Sequence, residues 1–313
     1  MSAPDPRMVA AYAQALGRPI ITKAEYIARL RTALADGQGY AAAKIGRSEK
    51  QWLYYPIFLA AETDPLRRFA YAQALAFHFQ AQAGLFPAEP EFYLRYNAVY
   101  AEYLRRIDCL GLFFDVPALE QQIIRHYQVA AELIHYRDQE PDRSAPANEA
   151  ACYLPLFAGK RLLLIASCAH FLRQRATPET YARVWAKTGK PWFWPATVDS
   201  LEFPYGYDVS TQQTYGDALR LLDVIQRQIA QREFDVALIA AGGLGLPLAG
   251  FVKSLGRVGL SLGGHLQVIF GVYGNRWRSR ESWQQRYFNE WWVDLPAHYL
   301  PTAPVVAEDA AYW

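Results

Sequence analysis

Cysteine is scarce in this chain. Cys109, Cys152 and Cys168 are scattered through 313 residues with no Cys-x-x-Cys pair. That spacing supports neither a disulfide framework nor a zinc site, and it fits a reducing cytoplasm. Net charge is also small, since 32 Lys and Arg against 30 Asp and Glu leave +2. Such a balance creates no global field of the kind that attracts DNA or anionic lipid, so nucleic acid is not an expected partner. Internal repeats, low-complexity tracts, a Gly-x-Gly-x-x-Gly fingerprint and a P-loop Gly-Lys-Ser/Thr are all missing. The stretch MSAPDPRMVAAYAQALGRPI carries Asp5 and Arg7 and has no apolar core of the signal-peptide kind, so export is not expected. Residues 236–252 carry no charge, but Gly242, Gly243, Gly245, Pro247 and Gly250 interrupt them. A buried strand, a tight turn and a helix start explain that run better than a membrane span does.

The chain is instead rich in apolar residues, which make up 52% of it, enough for a large core. Thr22 and Glu25 form a capping-box pattern for a helix that stops at Gly37. Residues 40–45, YAAAKI, read as a short buried strand, followed by a helix that Ser48 caps and that soon meets Pro56. Helical stretches at 65–82 and 89–106, a strand at 109–114 and a helix ending near His135 come next. The polar, proline-containing segment 138–150 reads as a linker. Beyond it, GKRLLLIAS, a helix at 177–186, a strand-like WFWPATV, the helix DALRLLDVIQRQIAQREF, the strand DVALIAAGG, the helix PLAGFVKSLG and VGLSLGG alternate strand with helix. This is the pattern of βαβ units, so the expected fold is α/β: a Rossmann-like, doubly wound parallel sheet with additional N-terminal helices. Residues 1–39 are read as a helical extension and 40–313 as the α/β domain.

Open parallel sheets bind ligands beyond the carboxyl ends of their strands. Three such ends are legible: LLLIAS before Cys168, Ala169 and His170; VALIAA before Gly242, Gly243 and Gly245; and VGLSL before Gly263 and Gly264. Glycine there lets backbone N–H groups face an anion without obstruction, and a phosphate or diphosphate is the natural guest. Tight corners and close helix packing are the competing explanation, and for Gly256, a helix C-cap, the better one.

The stretch FDVALIAAGGLGLPLAGFVKSLGRVGLSLGGHLQVIFGVYGNRW, together with the later NEWWVDLP and a terminal Tyr-Trp, resembles bacterial polysaccharide-locus proteins related to the GT-D class of glycosyltransferases. The resemblance covers roughly residues 40–60 and 155–313. It implies a GT-D-like fold and transfer of a sugar from a nucleotide-activated donor to a glycan or lipid-linked acceptor. The place of action would be the cytoplasm, at the inner face of the membrane beside the polysaccharide assembly machinery. In that class a Gly-Asp-x-Glu-like element is associated with the metal and the sugar nucleotide; here it reads Gly46-Arg47-Ser48-Glu49. Arg47 stands where the first acid would be, and a cation does not ligate Mn or Mg, so no metal ligands are assigned. Arg47 would instead neutralise a diphosphate. A second Gly-His-x-Asp pattern corresponds to Gly264-His265-Leu266-Gln267, with an amide in place of the acid.

The resulting roles are Glu49 and His265 as catalytic residues. Gly46, Arg47, Gly242, Gly243, Gly245, Gly263, Gly264, Gln267, Asn275, Arg276 and Trp277 would bind the nucleotide sugar, and Asn289 and Trp292 would line the acceptor side. Arg276 beside Trp277 offers a phosphate fork and a stacking plane. Each has a structural alternative: Glu49 as a first-turn acid on the helix dipole, His265 as a hydrogen-bonding residue, Trp277 as packed core. His78, His126 and His135 read as structural, and Cys168 as buried beside Ser167 and His170. Two rival functions stand: a non-catalytic scaffold of a polysaccharide assembly, and a transferase moving a phosphate-containing or acyl group on the same fold.

Overall fold

The computed structural model describes residues 5–141, 152–188 and 195–301. One sheet contains β1 (Ile20–Ile21), β2 (Tyr40–Lys44), β3 (Cys109–Leu112), β4 (Glu132–His135), β5 (Arg161–Ala166), β6 (Thr197–Leu201), β7 (Val236–Ala240) and β8 (Val258–Ser261). Their order is β1-β4-β3-β2-β8-β7-β5-β6, and every pair is parallel. Continuous apolar runs such as RLLLIA in β5 and VALIA in β7 suit strands buried on both faces.

Helices cover both faces. Alternate residues Leu163, Ile165, Ala237 and Ile239 join a core with α1 (Pro6–Leu16), α3 (Arg47–Ala61), α4 (Pro65–Ala76), α5 (Pro90–Leu104), α6 (Pro117–His126), α10 (Ala218–Ala230) and α11 (Gly245–Ser254). Their neighbours Leu162, Leu164, Val236 and Leu238 face α2 (Lys23–Asp36), α7 (Ala169–Arg175), α8 (Pro178–Val184) and the short α12 (His265–Ile269). An aromatic cluster, Trp277, Trp283, Tyr287 and Trp292, completes that layer. The remaining short helices are α9 (Val209–Tyr215), α13 (Asn275–Arg278) and α14 (Glu281–Arg286). No helix among the described residues is long and apolar enough to cross a membrane.

The structure corrects several expectations. Residues 132–135 form β4 rather than a helix end, because the preceding helix stops at His126 and Leu133 and Ile134 are buried against β3. The division at residue 39 follows no structural break, since β1 is an edge of the same sheet and Tyr26, Ile27 and Leu30 of α2 pack on it. Gln139 and Glu140, read as linker, are buried: Gln139 donates to the carbonyls of Ala43 and Cys109, and Glu140 Oε1 meets Lys44 at 3.1 Å. Residues 142–150 of that segment, the first residues of WFWPATV and the terminal Tyr-Trp lie outside the described residues. Gly46 rather than Ser48 occupies the cap of α3, and Ser48 is buried within the helix. The same helix runs through Pro56 to Ala61. Asn97 donates to the Trp52 carbonyl that Pro56 leaves without its helical partner, and Tyr127 reaches the next carbonyl, Leu53.

A buried charge cluster fastens α3 to the β3–α6 junction. Lys50, 1% exposed, meets both Asp115 and Glu120, the latter at 3.0 Å. Arg47 adds a second cation, but it is exposed and pairs with Asp115. Burial acts upward on Asp115, but the Lys50 hydrogen bond and charge outweigh it and hold that carboxyl below its ordinary value. On Glu120, burial wins and pushes the carboxyl up to about 8. The folded state therefore holds a proton on Glu120 that the unfolded chain releases near its ordinary value of 4.5. Its contribution to stability is full below that pH and is lost as pH rises through about 8. Chemical denaturation across this window will show the native chain losing stability relative to Glu120→Gln as pH rises. Parallel pH profiles would contradict the assignment.

Candidate functional site

At the carboxyl ends of β5 and β7 the connections diverge: β5 leads outward to edge strand β6, whereas β7 leads inward to β8. Such a divergence between adjacent strands opens a crevice. A cavity of about 120 Å³ lies there. The end of β5 contributes Ala166, Ser167 and Cys168, the turn after β7 contributes Ala240, Ala241, Gly242 and Leu244, and the turn after β8 contributes Gly263, Gly264 and Gln267. Two further segments close it: Gln82, Ala83 and Gly84 beyond α4, and Phe203, Tyr205, Gly206 and Tyr207 beyond β6.

The glycine at 242 has a specific cause. Its φ of +48° lies in the left-handed region, and a Cβ there would stand 2.6 Å from the Ala83 carbonyl oxygen. Gly243 donates its N–H to that same oxygen at 2.9 Å, while its own carbonyl accepts from the Tyr96 hydroxyl at 2.9 Å. Gly243 is therefore committed to joining the β7 turn to residues 83–85. Gly245 is buried against the Ser261 hydroxyl and closes α11 onto β8. The N–H of Gly263 donates to Ile239, whereas those of Gly242 and Gly264 meet no acceptor among the described residues.

Of the residues singled out from the sequence, Gly242, Gly263, Gly264 and Gln267 line the cavity. The Gln267 amide is held by a 2.8 Å bond to the Tyr273 carbonyl. The others lie elsewhere. Arg47 is exposed and paired with Asp115, and the Glu49 carboxylate folds back over Gly46 at the start of its own helix. That is the first-turn placement that complements a helix dipole. His265 Nε2 lies 2.5 Å from Glu140 Oε1 and its ring meets Trp277 edge-on. Trp277 is buried, so its faces are taken by protein, while Asn275 and Arg276 are exposed on α13. Asn289 and Trp292 anchor the C-terminal segment to α8 through the Val184 carbonyl, and Asn289 reaches Arg183 as well.

Sequence reasoning missed the two closing segments and Glu202. Glu202 accepts from the His170 backbone N–H at 2.7 Å and lies 3.7 Å from His170 Nε2. Its charge adds to burial in raising the Cys168 thiol, to about 12, and the Tyr205 phenol, both of which belong to the cavity wall. At that value Cys168 is no thiolate nucleophile. The signal for the closing loop was present as LEFPYGYD: a strand end followed by aromatics around a glycine. Gly206 is needed because a side chain there would run into the Gly84 carbonyl.

If close approach rather than φ alone requires Gly242, two alanine variants will separate the effects. Gly263 also has positive φ, +56°, but a Cβ there meets nothing within 4 Å. Urea denaturation will show Gly263→Ala costing about 1 kcal/mol and Gly242→Ala about 2–3 kcal/mol. Equal costs would contradict the packing account.

No family model, curated protein or solved structure matches this chain.

Proposed function

We propose that the chain binds a nucleotide-activated sugar at the ends of β5, β7 and β8. It would transfer the sugar to a hydroxyl of a glycan or lipid-linked acceptor, as in the GT-D-type glycosyltransferases that its sequence resembles. One observation carries the reading: two glycine turns, at Gly242 and at Gly263–Gly264, end adjacent strands beside a cavity where the connections of a parallel sheet diverge. The N–H groups of Gly242 and Gly264, which meet no acceptor among the described residues, are suited to diphosphate oxygens at the mouth. Glu202 and His170 are an ionisable pair beside the cavity, and in this reading Glu202 takes the acceptor-activating role that the motif gives to Glu49. Among the described residues, no three His, Cys, Asp or Glu side chains cluster, and Arg47 is engaged by Asp115. Work at the inner face of the cytoplasmic membrane follows from a lipid-linked acceptor.

A second reading, a nucleotide-binding scaffold without turnover, is favoured by one feature of the lining. The described residues that line the cavity include no carboxylate, imidazole, ammonium or guanidinium. Thermal shifts with a panel of nucleoside diphosphate sugars, followed by mass spectrometry of nucleoside diphosphate released when glycan and lipid-linked acceptors are added, separate the two. The transferase raises Tm by mass action and turns the ligand over. Glu202→Gln then keeps the Tm rise and lowers turnover by about 10²-fold. Binding without turnover would favour the scaffold, and no shift with any nucleotide would contradict both.

A further inference from the structure

The lining raises a question that the glycine turns do not answer: which part of the ligand enters the cavity. Resting on the nucleotide-sugar reading, we propose that the cavity takes the nucleobase, with the diphosphate and the sugar outside at its mouth.

Size limits the guest first. At about 120 Å³ the cavity is well below the roughly 300–1,000 Å³ of sites that enclose a drug-sized ligand. That suits one ring system better than a whole nucleotide sugar. Charge limits it next. No cationic side chain is among the described residues that line the cavity, and an anion buried without a partner is strongly disfavoured. The diphosphate therefore stays at the edge, by Gly242 and Gly264.

Two neutral guests fit those limits, a pyranose and a base, and the polar groups decide between them. A pyranose presents several hydroxyls, each both donor and acceptor, and the described residues of the wall include no carboxylate to take them in pairs. A base presents two apolar faces and one hydrogen-bonding edge. Phe203, Tyr205 and Tyr207 supply aromatic surface, with the two tyrosine rings 6.1 Å apart and 28° from parallel. Carboxamides read base edges through a donor and an acceptor on one planar group. Gln82 is fixed in an orientation that suits such an edge. Its Oε1 accepts from the buried Ser48 hydroxyl at 2.8 Å, so its NH2 group is the part of the amide left to donate to a base edge. Stacking on the aromatic rings supplies most of the affinity.

Saturation-transfer NMR on the full chain tests this. The probes are uridine, cytidine, adenosine and guanosine, the methyl glycosides of glucose and N-acetylglucosamine, and, as a competitor, inorganic pyrophosphate. At least one nucleoside should show saturation strongest on its base protons, with affinity changed less than about twofold by tenfold more salt. Tyr207→Ala should weaken it about tenfold. Gln82→Glu, which keeps the side chain's shape, should change which nucleoside is preferred. Methyl glycosides that bind where nucleosides do not, or signals removed by pyrophosphate alone, would overturn the proposal, as would silence from every nucleoside. A nucleotide sugar that binds while its nucleoside does not would remove this inference and leave the transferase reading standing. A nucleoside that binds while no nucleotide sugar stabilises the chain would do the reverse.

Discussion

The contact between residues 83–85 and the turn after β7 holds the candidate site together. The Ala83 carbonyl receives the Gly243 N–H, and it lies so close to Gly242 that no side chain fits between them. Leu85 packs over Gly243, and Tyr96 of α5 bonds to the Gly243 carbonyl. Through these contacts, a segment far away in sequence becomes a wall of the cavity. The neighbouring pair Gly84 and Gly206 repeats the arrangement, where two backbones again pass too closely for a Cβ. The crevice that sheet topology opens is thus shaped by backbone packed on backbone, which few side-chain substitutions would disturb.

This changes the meaning of the glycines. They do not share one role. Gly243 and Gly245 serve packing, while Gly242, Gly263 and Gly264 reach the cavity. The polar groups follow a similar division. Charged residues are common at the carboxyl edge of the sheet, but they pair among themselves, Lys50 with Asp115 and Glu120, and Lys44 and His265 with Glu140. The described residues of the cavity wall are neutral. Charge serves to fix loops here, while the wall offers rings, amides and backbone N–H groups.

How much of this was legible in the sequence depended on range. Strands with continuous apolar runs, such as β5 and β7, and the capping box at Thr22 are local signals, and the parallel α/β sheet followed from their alternation. The turns after β7 and β8 were found for the same reason. The two-residue strand β1 was too short to show a period, and β4 is a four-residue strand that an adjoining helix pattern concealed. Gln139 and Glu140 read as linker because composition cannot report that the Ala43 and Cys109 carbonyls await the one and Lys44 and His265 the other. Glu49 and Trp277 matched a motif but folded into their own surroundings, the one over Gly46 and the other into the core beneath α13. Gln82 and Tyr207 could not be assigned, because only the folded chain brings them together.

Hydrogen–deuterium exchange of the full chain, with and without a stabilising nucleoside diphosphate sugar, tests the central claim most directly. The account predicts slowed exchange concentrated in residues 82–86, 203–207, 242–244 and 263–267. Protection centred instead on 46–49 or 275–292, with these four segments unchanged, would contradict it.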